Sequence, residues 1–278
     1  MSNFVNMAER LLPALNNGWH WTNDGKLKRH QASPLAQTPW SYHNMKFQCV
    51  KWHYLFFDLA SKNGMVHSHC QQCFKVVIAP RTVEELMELD KWQSTLKDEC
   101  KCGIELREFV KTKRLYGGYW YNRGVEAGRE CYEKVKAWAD FIHQKDKYEN
   151  IFLQRHEEPM PVILKLGCTE FERALGDSRK YEVTEEQERF EEYFESLIDF
   201  DPFGMDEGWD HFPQPEVLRQ YVRLLWLKWA HNHGDMTYLK YMPDGEPFDM
   251  PHDNFNWPPA TYHGEGSVME ESRDVTDD

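Results

Sequence analysis

The sequence predicts an α+β protein with a zinc knuckle in its first half and a helix-rich second half. Three observations lead to this prediction: two close pairs of cysteines, short β-branched runs next to them, and several segments with apolar residues at helical spacing. The chain has 278 residues, of which 41% are hydrophobic and 14% are aromatic. This composition is typical of a globular protein with a substantial core.

The cysteine pairs are the centre of the predicted first half. Two residues separate Cys70 from Cys73, one residue separates Cys100 from Cys102, and a long insert joins the pairs. Four thiolates in two close pairs are typical ligands of a tetrahedral, structural Zn²⁺ ion. We therefore predict Zn²⁺ bound by Cys70, Cys73, Cys100 and Cys102, in a unit that resembles zinc ribbons and treble clefs in general outline.

Other interpretations of the same cysteines remain open. His67 and His69 precede the first pair closely enough for either to replace one thiol. An iron–sulfur cluster is a further alternative, although its usual cysteine spacings differ. The simplest alternative is a set of reduced thiols without a metal, or a redox pair.

The elements of the first half follow from local patterns. Residues 3–16 fit an amphipathic helix, residues 19–45 are predicted to be mostly irregular, and residues 46–60 fit either a helix or a buried strand. The β-branched run 74–78 predicts a strand. Thr82 and Glu85 form a capping box that predicts a helix from Val83. Alternating apolar and polar residues over 104–110 predict another strand.

The segment from Tyr116 to Tyr121 combines two glycines with four aromatic residues. Flat side chains on a sharply turning backbone could form a stacking surface for bases or another planar ligand. The alternative is an aromatic strand or hairpin that packs in the core. A long helix with a buried stripe is predicted from Arg123 to about Lys147.

The second half begins after a mixed, charged linker. We predict a zinc-stabilised α+β region over 1–147, a helix-rich region over 148–240 that packs on it or forms a second subdomain, and an irregular acidic tail over 241–278. Residues 161–166 fit a strand, and a helix over 185–199 is predicted from Thr184 and Gln187. Residues 199–208 fit a solvated loop. Pro215 and Gly234 bracket a helix from Glu216 to His233.

Cys168 is the candidate nucleophile of the second half. It lies between a predicted strand and a helix whose capping box would be Thr169 and Glu172. The positive end of a helix dipole can lower the pKa of a thiol at that place. Its base would have to come from elsewhere in the chain, and a buried, inert thiol is the alternative. The candidate bases are His211, His231 and His233.

Composition also bears on compartment and partners. Seven cysteines, an odd number, do not form an obvious disulfide framework, and the N-terminus lacks the pattern of a signal peptide. We therefore expect a cytoplasmic protein with no membrane span. The formal charge of −13 is unusual for a protein whose main task is to bind phosphates. Residues 101–147 nevertheless contain enough Lys and Arg for local contact with nucleic acid.

These observations lead to two hypotheses from different functional classes. The chain lacks a phosphate-binding loop, a dinucleotide-binding glycine motif, a His-Glu-x-x-His motif and a Gly-x-Ser-x-Gly motif. The leading hypothesis is a zinc-stabilised, intracellular binding protein that contacts a protein partner or single-stranded nucleic acid through Tyr116–Tyr121. The rival hypothesis is an enzyme with structural zinc and Cys168 as its nucleophile.

Overall fold

A computed structural model of the protein describes residues 19–29, 39–44, 66–105, 115–149, 158–197, 214 and 216–244. Its strands are β1 (Trp19–Trp21), β2 (Leu27–Arg29), β3 (Trp40–His43), β4 (Cys73–Ile78), β5 (Cys100–Ile104), β6 (Tyr116–Arg123) and β7 (Val162–Leu166). Its helices are α1 (Val83–Gln93), α2 (Val125–Glu149), α3 (Thr169–Leu175), α4 (Glu185–Leu197) and α5 (Glu216–Asn232). Within the same described ranges, 3₁₀ turns cover Ser68–Gln72, Ser178–Lys180 and Met236–Lys240.

The main sheet, as far as the structure describes it, has five strands in the order β3-β5-β6-β4-β7, and every neighbouring pair is antiparallel. Strands β1 and β2 form a separate antiparallel pair. The structure therefore confirms a mixed α+β fold. The second half of the chain contributes β7 to the same sheet, where it pairs with β4 of the first half.

Helices α1, α2 and α5 pack on one face of the main sheet. Helix α1 contacts β5 and β6, α2 contacts β4, β6 and β7, and α5 contacts β3 and β5. Trp120 of β6 is fully buried there, and Trp92 of α1 lies between it and Trp138 of α2. We call this side the helix face. Residues one position along each strand point to the opposite side, which we call the tyrosine face because it carries Tyr119 and Tyr121.

Two glycines allow the helices to lie close to the sheet. A Cβ atom at Gly118 of β6 would lie 2.6 Å from Cδ2 of Leu89 in α1. A Cβ atom at Gly128 of α2 would lie 2.8 Å from Cβ of Phe74 in β4. Both distances are shorter than normal van der Waals contacts, so a larger residue at either position would force its neighbours to shift.

Gln214 binds the edge strand β3 from the second half of the chain. Its Nε2 donates to the Trp40 carbonyl at 3.1 Å, and its Oε1 accepts from the Tyr42 N–H at 3.0 Å. The side-chain amide thus pairs with β3 as the backbone of another strand would. Gln214 is itself 1% exposed, so both hydrogen bonds are well shielded from water.

Most locally encoded elements agree with the sequence predictions. The structure confirms the strand at 74–78, the helix from Val83 and the long helix after Arg123. It also confirms the strand at 161–166, the helix predicted for 185–199 as far as Leu197, where the described range stops, and the helix predicted for 216–233, which ends at Asn232. Residues 19–45 were predicted to be mostly irregular, but the described residues 19–29 and 39–44 contain β1, β2 and β3. The predictions for 3–16, 46–60, most of 104–110, 199–208 and the acidic tail from 245 onward lie outside the described residues.

Candidate functional site

The predicted zinc knuckle is not shown by the structure, because its four cysteines lie on two sides of the sheet. Cys73 pairs with Arg123 of β6, whereas Cys100 pairs with Trp120 and Cys102 with Gly118. Positions 120 and 123 are an odd number of residues apart and therefore face opposite sides. Cys73 is thus on the tyrosine face, and Cys100 and Cys102 point into the core of the helix face. Cys70 lies in the 3₁₀ turn that leads into β4.

The four thiols also differ in exposure, since Cys70 and Cys73 are only partly buried. Cys100 and Cys102 are fully buried, and burial is the main reason why their pKa values are raised. The Cys102 thiol points toward Asp90 Oδ1 at 3.8 Å, and burial raises the pKa of Cys73 to about 12. In the part of the chain that the structure describes, no group of three or more His, Cys, Asp or Glu side chains could hold a metal ion. The four-thiol arrangement therefore has no geometric support.

Cys168 lies at the predicted place but without the predicted partners. It is the residue that precedes α3, it is buried, and its side chain makes no capping hydrogen bond. The expected capping box is not formed, because Glu172 binds Lys165 and Ser178 instead. Two of its candidate bases, His231 and His233, are at the end of α5, which packs on β3 and β5 at the other edge of the sheet. The third, His211, is outside the described residues.

A buried charged centre on the helix face was not expected from the sequence. Asp90 of α1 binds His43 Nε2 at 2.8 Å and Arg223 Nε of α5 at 2.8 Å. Burial raises the pKa of Asp90, but the hydrogen bond from His43 and the charge of Arg223 outweigh it and hold the pKa at about 2. Ser41 also contacts His43 Nε2, at 3.3 Å. In a Ser-His-Asp catalytic triad the hydroxyl and the carboxylate contact different nitrogens of the imidazole ring. Here both contact Nε2, so these three residues do not have the triad geometry.

The aromatic segment of β6 divides between the two faces of the sheet. Tyr116 and Trp120 point into the helix face and are fully buried, whereas Tyr119 and Tyr121 belong to the tyrosine face. The core interpretation is therefore confirmed for Tyr116 and Trp120. On the other face Tyr119 is also buried and Tyr121 is half-buried, and their use as a stacking surface stays a prediction. Strand pairing extends the second set: Tyr42 of β3 is opposite Lys101 of β5, which is opposite Tyr119.

Lys101 is the central side chain of this surface. Its Nζ lies 4.7 Å from the ring centroid of Trp40, 5.6 Å from Tyr42, 5.7 Å from Tyr119 and 5.9 Å from Tyr121. The Trp40 ring meets Tyr119 edge-on at 5.5 Å. Ammonium groups at such distances are attracted by the electron-rich faces of aromatic rings. We call Lys101 and these four rings the aromatic cluster.

The aromatic cluster has a buried floor and a more accessible rim. Tyr42 and Tyr119 are only 5% and 3% exposed, and the Tyr119 hydroxyl donates to Glu105. Trp40, Lys101 and Tyr121 are half-buried. The floor therefore fixes the geometry, while the rim presents one cation and parts of two rings.

Basic residues continue beyond the cluster along the same face. Tyr121 is opposite Lys75 of β4, and Lys75 is opposite Lys165 of β7. Arg123 at the end of β6 is exposed and shares this face. The tyrosine face therefore carries aromatic rings at β3 and β6, and Lys75 and Lys165 together with Val77 and Ile163 at β4 and β7, in a protein with a net charge of −13.

One strand of the aromatic cluster could have been predicted from the sequence, although it was not among the predictions above. In Trp40-Ser41-Tyr42-His43, the two aromatic residues alternate with polar ones, which indicates a strand with one aromatic face. The approach of Lys101 to rings from both neighbouring strands depends on strand order. That order has no local signal in the sequence.

Comparison of the chain with models of protein families, with curated proteins and with solved structures gave no match. Among the helices that the structure describes, none is long and apolar enough to cross a membrane. Function must therefore be inferred from the geometry of the chain itself.

Proposed function

We propose that this protein binds single-stranded nucleic acid on the tyrosine face, with the aromatic cluster as its centre. The single observation that supports this proposal is the position of Lys101 Nζ, within 6 Å of four ring centroids from β3 and β6. Proteins that bind single strands combine aromatic rings on which bases stack with cations that contact the phosphates. Zinc has no part in the proposal, because the four thiols are divided between the two faces.

The two kinds of contact have separate places on the surface. The half-buried rings of Trp40 and Tyr121 present part of their surface for stacking, and Lys101 between them supplies a cation that a phosphate could approach. Arg123 adds an exposed cation farther along the face. Because the surrounding protein is acidic, contacts with nucleic acid elsewhere are disfavoured. Binding should therefore be modest in affinity and confined to this face.

The test is a titration of fluorescently labelled single-stranded oligonucleotides, both DNA and RNA, with the full-length protein at low salt. Each stacked base contributes about 1–3 kcal/mol, so Trp40→Ala and Tyr121→Ala should each weaken binding about tenfold. Lys101→Ala should weaken binding and also reduce its dependence on salt concentration. Circular dichroism of each variant checks that the fold is retained.

Lys136 and Tyr132 on the exposed side of α2 provide a matched control. Lys136 Nζ lies 5.8 Å from the Tyr132 ring centroid, so Lys136→Ala removes an equivalent cation–ring contact from another surface. This variant should bind the oligonucleotides as the unchanged protein does. Absence of binding at low salt, or equal losses in the Lys101 and Lys136 variants, would refute the proposal. Nuclease-resistant capture of one protein that depends on Trp40 would instead identify a protein ligand.

A further inference from the structure

A second feature of the tyrosine face lies at its β7 edge and concerns lysine chemistry. Lys165 of β7 and Lys75 of β4 are directly opposite each other in the antiparallel pair. Side chains in such positions share a face, with their Cβ atoms about 5 Å apart. Lys75 is only 4% exposed, and the Lys165 side chain is 13% exposed. Two ammonium groups are thus held near each other with little water around them.

The amine of Lys165 is held in one position by the start of α3. Its Nζ donates to Glu172 Oε2 at 2.8 Å and to Thr169 Oγ1 at 2.9 Å. Glu172 also accepts a hydrogen bond from Ser178, so its carboxylate is held from two sides. The amine therefore has a fixed base within hydrogen-bond distance. This distance is short enough for direct proton exchange between the two groups.

The charges around Lys165 come from three directions. Lys75 faces it from β4, Glu172 faces it from α3, and the Cys168 thiol lies just before α3. Burial is the main cause that lowers the pKa of Lys165, and the charge of Lys75 lowers it further. The carboxylate of Glu172 and the thiol of Cys168 act in the opposite direction without reversing the result. Nucleophilic lysines are commonly activated by such desolvation and by a neighbouring cation.

We propose that Lys165 is a reactive amine that condenses with small aldehydes, with Glu172 as the proton acceptor and Lys75 as the cation beside it. The ammonium proton of Lys165 passes to Glu172, and the free amine adds to the aldehyde carbon to give a carbinolamine. Loss of one water molecule then forms the C=N bond of an imine. No oxidant or reductant is needed. This proposal does not depend on nucleic-acid binding.

The test uses glyoxylate as the aldehyde and cyanoborohydride to reduce the imine to a stable secondary amine. Full-length protein is treated over a range of pH, and the modified lysines are identified and timed by peptide mass spectrometry. At neutral pH, Lys165 should be modified at least about fivefold faster than Lys136, an exposed lysine on α2, because more of its amine is unprotonated. As the pH is raised, the modification rate at Lys165 should also begin to increase at a lower pH than the rate at Lys136.

Substitution of Lys75 separates a reactive site from a merely structural ion pair. Lys75→Met removes the neighbouring cation and should slow modification of Lys165 severalfold, whereas Lys75→Arg keeps the charge and should preserve the rate. The Lys136 rate is the internal reference in each variant. The proposal is refuted if Lys165 in the unchanged protein reacts no faster than Lys136. It is also refuted if folded Lys75→Met protein shows the original Lys165 rate.

Discussion

At the scale of single residues, Asp90 has the largest structural role among the charged side chains described above. It is 1% exposed and joins three elements, because its carboxylate binds His43 of β3 and Arg223 of α5 from its own position in α1. A buried carboxylate is stable only when such partners compensate for its loss of water. Asp90 therefore connects both helices to the edge strand β3.

Replacing Asp90 with Asn should test this role. The Asn side chain has nearly the same shape but weakens the charged hydrogen bonds to His43 and Arg223, and Arg223 keeps Glu216 as a partner, so the free energy of unfolding should fall by about 2 kcal/mol. Urea denaturation at pH 7 measures the change. Asp177→Asn is the control, because that carboxylate pairs with Arg179 at the surface and its loss should have little effect. Equal effects of the two substitutions would contradict the assigned role.

At the scale of elements, local signals in the sequence were sufficient for most helices. The Thr82 hydroxyl accepts from the Glu85 N–H at 3.2 Å, and the Thr184 hydroxyl accepts from the Gln187 N–H at 3.2 Å, as the capping patterns predicted. The same pattern failed at Thr169 because Glu172 finds a stronger partner in Lys165, a residue of the neighbouring strand. Helix caps depend on residues that are adjacent in the sequence, so they can be predicted from it. The prediction fails where a capping side chain binds a residue from another element instead.

Helix α2 offers a test of how closely it packs on the sheet. By helix propensity alone, Gly128→Ala should stabilise the protein by about 1 kcal/mol. The new Cβ would lie 2.8 Å from Phe74 Cβ and 3.1 Å from Leu164 Cδ1, and a main-chain-bound atom such as Phe74 Cβ cannot move aside. Overpacking of this kind costs ~1–3 kcal/mol, so we expect the melting temperature to decrease.

Ala137→Gly is the matched control for this substitution, since position 137 is exposed on the same helix. It should cost about 1 kcal/mol through propensity alone. If Gly128→Ala raises the melting temperature, α2 is farther from β4 than the structure shows.

At the scale of the whole molecule, stability should depend on pH through His67. Burial and the neighbouring His69 lower the pKa of His67 from 6.5 to about 3. Its Nδ1 accepts from the His69 N–H at 3.1 Å, so protonation of Nδ1 would break that bond. The unfolded chain takes up this proton below pH 6.5 and the folded protein does not. Stability therefore decreases as the pH falls from 6.5 toward 3.

Between pH 7 and pH 5, proton uptake by His67 in the unfolded chain should lower the free energy of unfolding by about 2 kcal/mol. The neighbouring Glu191 has the opposite effect on stability. Burial raises its pKa, so its protonated form favours the folded protein, and that stabilisation is lost as the pH rises above 4.5. Comparison of His67→Asn with the unchanged protein by urea denaturation isolates the histidine, and the variant should show a smaller loss. His233→Asn, an exposed control, should keep the original pH dependence. An unchanged slope in His67→Asn would contradict the prediction.

The whole sheet is also where prediction from sequence was least successful. The α+β class followed from composition and periodicity. The prediction of a zinc knuckle also assumed that the two cysteine pairs, which are far apart in the sequence, would lie close together in the fold. Alternation along β6 separates Cys73 from Cys100 and Cys102, and this depends on strand order and register. The aromatic cluster depends on the same non-local pairing, which brings Trp40 to Lys101. Local patterns do not encode which strands become neighbours.

The contact between Gln214 and β3 has a consequence for synthesis in the cell. Trp40 and Tyr42 leave the ribosome long before Gln214, whose amide completes their hydrogen bonds across separations of 174 and 172 residues. Contacts of such long range are slow to form, and an incomplete sheet edge invites association with other chains. During synthesis this strand must therefore stay soluble until Gln214 has also left the ribosome.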